Sequence, residues 1–211
     1  MSVILENFCY ILNWSVVLIC LFLKVPQMKS CFGSMDTNGI SLQSVLLEML
    51  GYSVLFCYSF AMDYPISLYL EQGLLLVQNI FILGLIIYTR KLLSTKLFYI
   101  FVIYIIICYC LAFRLVPELI LKSAVFTKTP LVVMSKLSQI RALYKSKTPG
   151  TLSATTWGMA AYGSFARLFS SLVMTKDWLL LLNYTCAGSL SSTVVAMILY
   201  YTKKTHKHRN D

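Results

Sequence analysis

Three ionisable residues interrupt long apolar stretches of the sequence. Glu48 lies early in one stretch, Lys128 lies near the middle of another, and Arg167 lies deep in a third. The hydrocarbon core of a membrane solvates such side chains poorly, so within a span they usually mark a functional pathway or a buried pair. A carboxyl group at that depth could exchange protons, a lysine could line a path for a solute, and an arginine needs a partner or a water-filled cavity.

Each of these residues also has a structural interpretation. Glu48 could be neutral, or reach out of the apolar layer, and hold two helices together. Lys128, which is followed two residues later by Pro130, would be superficial if its span is shifted. Arg167 is better explained by a structural ion pair with Glu71 than by contact with a substrate.

Three amides occupy comparable depths in other apolar stretches. Gln78 and Asn79 lie in the middle of the third stretch, and Asn13 lies in the first. A single hydrogen bond between membrane helices contributes about 0.6 kcal/mol on average, so each amide alone is explained by such a bond. Their similar depth together predicts a central polar cavity that these residues line.

The sequence offers no set of residues for catalysis. His206 and His208 are the only histidines, and both lie in the basic C-terminal segment. Nucleophilic catalysis needs a base beside the nucleophile, and zinc sites need clustered Cys or His ligands. We therefore expect neither an enzyme nor a metal or cofactor site.

The elements that carry these residues are predicted to be membrane-spanning helices. The chain of 211 residues is 58% hydrophobic and only 12% charged, whereas soluble domains carry about 25% charged residues. Its apolar runs are unbroken rather than alternating, which indicates helices and not barrel strands. At roughly 20 residues per span, we predict spans at about 6–27, 41–62, 67–89, 97–116, 118–141, 153–175 and 178–201.

The basic residues between the spans predict the orientation. The net charge is +10, but its carriers lie in connections and in the tail rather than on a surface suited to nucleic acid. Cytosolic loops of membrane proteins are enriched in Lys and Arg. The basic connections follow spans 1, 3 and 5, so the N-terminus is predicted to be lumenal and the C-terminus cytosolic.

An internal repeat relates the two halves of the chain. Gln27 precedes Ser41 by the same fourteen residues that separate Gln139 from Ser153, and Gly51 matches Gly163 at the same offset. Repeats of this kind are typical of transporters. We predict a first three-helix repeat at 1–92, a linker helix at 93–117, a second repeat at 118–202 and a basic cytosolic tail at 203–211.

The segments 24–27 and 38–44, read Lys-Val-Pro-Gln and Asn-Gly-Ile-Ser-Leu-Gln-Ser, resemble the PQ-loop repeat family. That family shares its 3+1+3 helix plan with the SWEET sugar transporters. The resemblance implies an all-α membrane protein of seven helices, in which two parallel three-helix repeats are joined by a linker helix.

The resemblance also assigns roles to individual residues. Pro26 and Gln27 form the hinge motif of the first repeat. In the second repeat Gln139 is kept, but Ser138 replaces the proline, so the two halves should flex unequally. The context of Glu48 is similar to a family segment in which an acidic residue is linked to protons, although there the acid belongs to the second repeat.

These observations favour a transporter that moves a small solute across an internal membrane, of the lysosome or the endoplasmic reticulum, with coupling to protons as a further hypothesis. The expected partners are the bilayer, the solute and protons, and assembly into a homo-oligomer stays open. Two alternatives are a non-transporting factor in dolichol-linked sugar utilisation and a sorting receptor.

Overall fold

Seven α-helices make up most of the computed structural model, which describes residues 3–23, 42–147 and 153–210. A short 3-10 turn, Ile66–Leu68, precedes the third of them. In chain order the helices are α1 (Val3–Leu23), α2 (Leu42–Ala61), α3 (Leu70–Thr89), α4 (Thr95–Ala112), α5 (Glu118–Ser146), α6 (Ala154–Met174) and α7 (Trp178–Asn210). The predicted all-helical fold with seven helices is confirmed.

The ends of two helices differ from the predicted spans. Helix α5 continues to Ser146, five residues beyond the predicted end, and α7 continues to Asn210, through the segment predicted as a tail. The sequence that follows Tyr200 contains neither proline nor glycine and is rich in Lys and His. Basic side chains are favourable at a helix C-terminus because they oppose the negative end of its dipole. The sequence after Tyr200 therefore contains no residue that would end α7 earlier.

Four of the described helices are long and apolar enough to cross a membrane. These stretches are Val3–Leu21, Leu70–Thr89, Thr95–Ala112 and Trp178–Lys203. Helix α2 contains a shorter apolar stretch, Val45–Ala61. Basic residues interrupt α5, and Ser, Thr and Arg167 make α6 less apolar. The chain is a multi-pass membrane protein.

Helix α4 shows most clearly that the surroundings are apolar. Leu111 is its only buried residue, while Phe98, Ile103 and Ile106 are more than half exposed. Soluble proteins rarely expose contiguous apolar patches of such extent. Lipid, rather than water, therefore covers most of this helix.

The chain divides into two compact units. The N-terminal unit comprises residues 13–125, and the C-terminal unit comprises residues 126–211 together with residues 1–12. In the N-terminal unit, α2 packs against both α3 and α4. An apolar cluster joins α2 to α3 and consists of Val45, Met49, Ile82, Leu83 and Ile86. The predicted domain boundaries after 92 and 117 stay predictions.

In the C-terminal unit, α6 packs closely against α7. A side chain at Gly188 would lie 3.2 Å from the Phe165 ring, so the glycine allows the two helices to approach. A second apolar cluster joins α5 to α7 and consists of Leu143, Val194, Ile198 and Tyr201.

The helix bounds follow the sequence repeat. The offset between Ser41 and Ser153 is 112 residues. Moving α2 along the chain by that offset gives 154–173, which agrees with α6 to within one residue. Moving α3 gives 182–201, which falls inside α7. The second and third helices of the two predicted repeats thus correspond.

Candidate functional site

One face of α1 places polar groups inside the N-terminal unit. Asn13, Val16, Val17 and Cys20 are all buried, and their spacing of three, four and seven residues puts them on one side of the helix. The Asn13 side-chain amide donates a hydrogen bond to the Ser67 hydroxyl over 3.4 Å. Helix α1 is therefore fixed by a polar contact to the turn that precedes α3.

Helix α3 presents a matching polar face. Glu71 and Asn79, which are two turns apart, are both buried. The Gln72 amide donates to Glu71 Oε1 over 2.9 Å, and the Cys20 thiol lies 4.0 Å from Glu71 Oε2. These contacts hold the Glu71 carboxylate between α1 and α3.

Helix α2 completes this group with Glu48 and Tyr52, which lie one turn apart. The Asn79 side-chain amide lies 3.5 Å from Glu48 Oε2, at the outer limit of a hydrogen bond. Tyr52 lies close enough to both Glu48 and Glu71 for their charges to act on its hydroxyl. We call this group the polar seam, and it consists of Asn13, Cys20, Glu48, Tyr52, Ser67, Glu71, Gln72 and Asn79.

The polar seam is closed on one side and open on the other. Asn13 and Asn79 are fully buried and Glu71 is 5% exposed, whereas Glu48 is exposed. Buried polar groups are costly unless they are hydrogen-bonded. The seam therefore joins an exposed carboxyl group on α2 to a fully buried amide on α3.

Gln78 plays a different part from its neighbour. Its side-chain amide donates to the backbone carbonyls of Cys20 and Leu21, over 3.1 and 3.3 Å. These bonds tie α3 to the end of α1. Gln78 thus forms hydrogen bonds between helices. Its predicted role in lining a path for the solute stays a prediction.

The C-terminal unit contains a smaller polar group between α5 and α7. The Asn183 amide donates to the Thr129 hydroxyl over 3.1 Å, and two turns further on Lys136 Nζ donates to the Ser191 hydroxyl. Lys136 Nζ also lies 5.1 Å from the centre of the Trp157 ring on α6. A half-buried cation is thereby held between a hydroxyl and an aromatic face.

The two polar groups correspond through the repeat. At the offset of 112 residues, Asn79 matches Ser191 and Glu71 matches Asn183. All four side chains are buried. Sequence reasoning missed Ser191, Asn183, Lys136 and Tyr52. Ser191 and Asn183 could have been found by adding the repeat offset of 112 residues to Asn79 and Glu71, and not only to the motif residues.

The remaining candidates occupy varied surroundings. Lys128 is half-buried in α5, and Ser138 and Gln139 are exposed on the same helix, which continues through them without a break. Pro26 and Gln27 lie outside the described residues. The hinge roles of these four motif residues and the path-lining role of Lys128 stay predictions.

Arg167 and Glu71 belong to different units of the chain. Arg167 is 1% exposed in α6, and Glu71 is 5% exposed in α3. Both side chains are thus buried, each within its own unit. The pairing itself stays a prediction.

Within the described ranges, no three residues of the types His, Cys, Asp and Glu come together in a way that could hold a metal ion. The two polar groups described above consist of amides, hydroxyls, one thiol, two carboxylates and one lysine. Their chemistry suits hydrogen bonding.

Comparisons with known proteins agree with this architecture. Residues 8–68 match the family described as PQ loop repeat. The chain is 30% identical to solute carrier family 66 member 3 of Homo sapiens over 191 residues, which cover 90% of this chain and 93% of that one.

The fold also resembles a solved structure of a eukaryotic SWEET transporter determined at 3.7 Å. The TM-score is 0.77 at 13% identity, and the match covers 95% of this chain and 98% of the other. At that identity the similarity shows a shared fold, the 3+1+3 arrangement. On the strength of its relative and its PQ loop repeat, this chain belongs to the PQ-loop repeat family, among the solute carrier family 66 proteins.

Proposed function

We propose that this protein transports a small solute across an internal membrane and that Glu48 couples transport to protons. The contact between Glu48 and fully buried Asn79 carries the proposal. An exposed carboxyl group can take up or release a proton, and its amide neighbour can donate to the ionised form. A change in protonation would therefore alter a contact between α2 and α3.

A second carboxyl group lies at the closed end of the polar seam. Glu71 is buried there, while Glu48 is exposed. In this proposal Glu48 exchanges protons with one side of the membrane, while Glu71 stays enclosed at the other end of the seam.

Solute uptake into reconstituted vesicles, with and without a pH gradient, tests this proposal. In the unmodified protein, uptake of the transported solute should rise when a gradient is imposed. Glu48→Gln should abolish that increase, because the amide has a similar shape but cannot exchange a proton. Glu118→Gln is the matched control, since Glu118 is exposed at the start of α5 and pairs with Lys122 over 2.7 Å.

Two results would contradict parts of this proposal. If Glu48→Gln kept the full response to the gradient, proton coupling at Glu48 would be wrong while transport would stand. If a broad screen of small solutes gave no uptake by a folded protein under any gradient, transport itself would be wrong.

A non-transporting role is the second candidate, and α5 is the observation that favours it. This helix passes unbroken through Ser138, where the family motif has a proline. A repeat without that hinge suits a sorting receptor or a factor in dolichol-linked sugar utilisation. Pro130 lies eight residues earlier within α5 and could supply a bend instead, since a helical proline removes one backbone hydrogen bond.

A further inference from the structure

An open apolar groove lies between the second half of α3 and the start of α4. Its volume is about 720 Å³, and it is lined mainly by apolar side chains such as Leu83, Ile87, Phe98 and Phe101. A side chain added at Gly84, which also lines the groove, would meet nothing within 4 Å. The lining residues of α3 extend from Ile80 to Ile87, or about 10 Å along the helix axis.

The groove ends at a strongly basic connection. The stretch from residue 90 to residue 96 contains Arg90, Lys91 and Lys96 and no acidic residue. Lys91 and Lys96 are exposed. Ser94 and Thr95 line the groove at this end, and the Ser94 hydroxyl accepts a hydrogen bond from the Leu97 amide at the start of α4.

The apolar groove and the basic connection beside it together indicate which kind of molecule binds there. The apolar lining suits an acyl chain, whereas the cations and the positive end of the α4 dipole suit an anionic group at the membrane surface. A second copy of this chain would bring another net charge of +10, which a basic connection does not favour. An anionic phospholipid satisfies both ends of the groove.

We propose that the groove between α3 and α4 binds one anionic phospholipid. An acyl chain lies along α3 over Gly84, and the phosphate lies at Lys91, Lys96 and the first turn of α4. This site is separate from the polar seam and does not depend on the proposed transport activity. It would give the protein a preference for membranes whose facing leaflet is rich in anionic lipid.

Native mass spectrometry of the detergent-purified protein tests the proposal. The probes are phosphatidylserine and phosphatidylcholine with identical acyl chains. The unmodified protein should retain one phosphatidylserine in preference to phosphatidylcholine. Combined Lys91→Ala and Lys96→Ala should weaken phosphatidylserine retention about tenfold or more, because two surface cations that attract the anionic headgroup are removed. Gly84→Leu, which fills the groove, should reduce retention of both lipids.

Two matched controls separate the site from general effects. Lys147→Ala removes an exposed lysine with φ of 54°, close to the 51° of Lys91. Gly158→Leu adds the same side chain at another helical glycine, where an added Cβ would also meet nothing within 4 Å. Both controls should retain phosphatidylserine as the unmodified protein does, and thermal melting of every variant should confirm folding.

Three results on lipid retention would overturn the proposal. These are equal retention of the two lipids by the unmodified protein, unchanged retention in the doubly substituted lysine variant, and equal losses in the control variants. A shift by Gly84→Leu from dimer to monomer, without loss of lipid, would assign the groove to a second copy of the chain and would also overturn it.

Discussion

At the scale of single residues, two adjacent amides on α3 have different surroundings. Asn79 is fully buried and lies at the Glu48 carboxylate, while half-buried Gln78 donates to the backbone of α1. Neighbouring positions on a helix point in different directions. The two amides therefore make different contacts, Asn79 with a carboxyl group of α2 and Gln78 with the backbone of α1.

We expect Asn79→Leu to impair transport without unfolding the protein. The substitution removes the donor to Glu48 and keeps a side chain of similar size. Loss of one interhelical bond in a membrane costs about 0.6 kcal/mol, so thermal melting in detergent should change little. The increase in uptake that a pH gradient causes should disappear, as it should in Glu48→Gln.

Gln78→Leu is the control for that substitution. It should cost at least as much stability, because it removes hydrogen bonds to the backbone carbonyls of Cys20 and Leu21, and it should leave gradient-driven uptake intact. Equal losses of uptake in the two variants would contradict a special role for the contact between Asn79 and Glu48.

The sequence predicted part of the candidate site at this scale. Glu48, Glu71, Asn13 and Asn79 were identified because charged and amide side chains stand out in apolar runs. Tyr52 was missed because a tyrosine is unremarkable in a membrane helix, and its position beside two acids depends on how α2 packs.

At the scale of helices, two glycines on α3 have opposite surroundings. A Cβ at Gly73 would lie 2.9 Å from Phe56 Cε2 on α2, whereas a Cβ at Gly84 would meet nothing within 4 Å. The Phe56 ring also contacts Tyr69 edge to face, with 5.4 Å between ring centres. Gly73 is therefore a point of close approach between α2 and α3.

Alanine substitutions at these glycines should change stability in opposite directions. Gly73→Ala forces the Phe56 ring to move, and overpacking of this kind costs about 1–3 kcal/mol. Gly84→Ala should be neutral or stabilising by less than about 1 kcal/mol, because alanine favours a helix over glycine. Unfolding by denaturant in mixed micelles measures both, and a loss at Gly84 as large as that at Gly73 would contradict this packing.

The order of the helices was predictable because each apolar run has the length of a membrane span. Their ends were less predictable, as α5 and α7 show, because basic residues that mark a membrane surface do not themselves end a helix. Which helices pack together could not be read from apolar runs that lack a distinct polar face.

At the scale of the whole molecule, α2 and α4 cross the membrane in the same direction. Arg114, which follows α4, pairs with Asp63, which follows α2, over 2.9 Å. Helices α2 and α4 thus end on the same side of the N-terminal unit. This is the course expected when each helix crosses the membrane once.

We expect the N-terminus to be lumenal and the C-terminus to be cytosolic. The prediction follows from the basic residues after α3, at the end of α5 and at the end of α7. An epitope placed after Asp211 should bind antibody when only the plasma membrane is permeabilised, and an epitope at Met1 should need permeabilised internal membranes. The reverse pattern would contradict the assignment.

The lysine held over Trp157 gives the protein an optical reporter of its own. Trp14 and Trp178 are 48% and 62% exposed, whereas Trp157 has the Lys136 ammonium 5.1 Å from its ring. A movement that draws α5 away from α6 would change the electric field at this indole and shift its fluorescence. Conformational cycling could then be followed in unlabelled protein, with Trp14 and Trp178 replaced by phenylalanine.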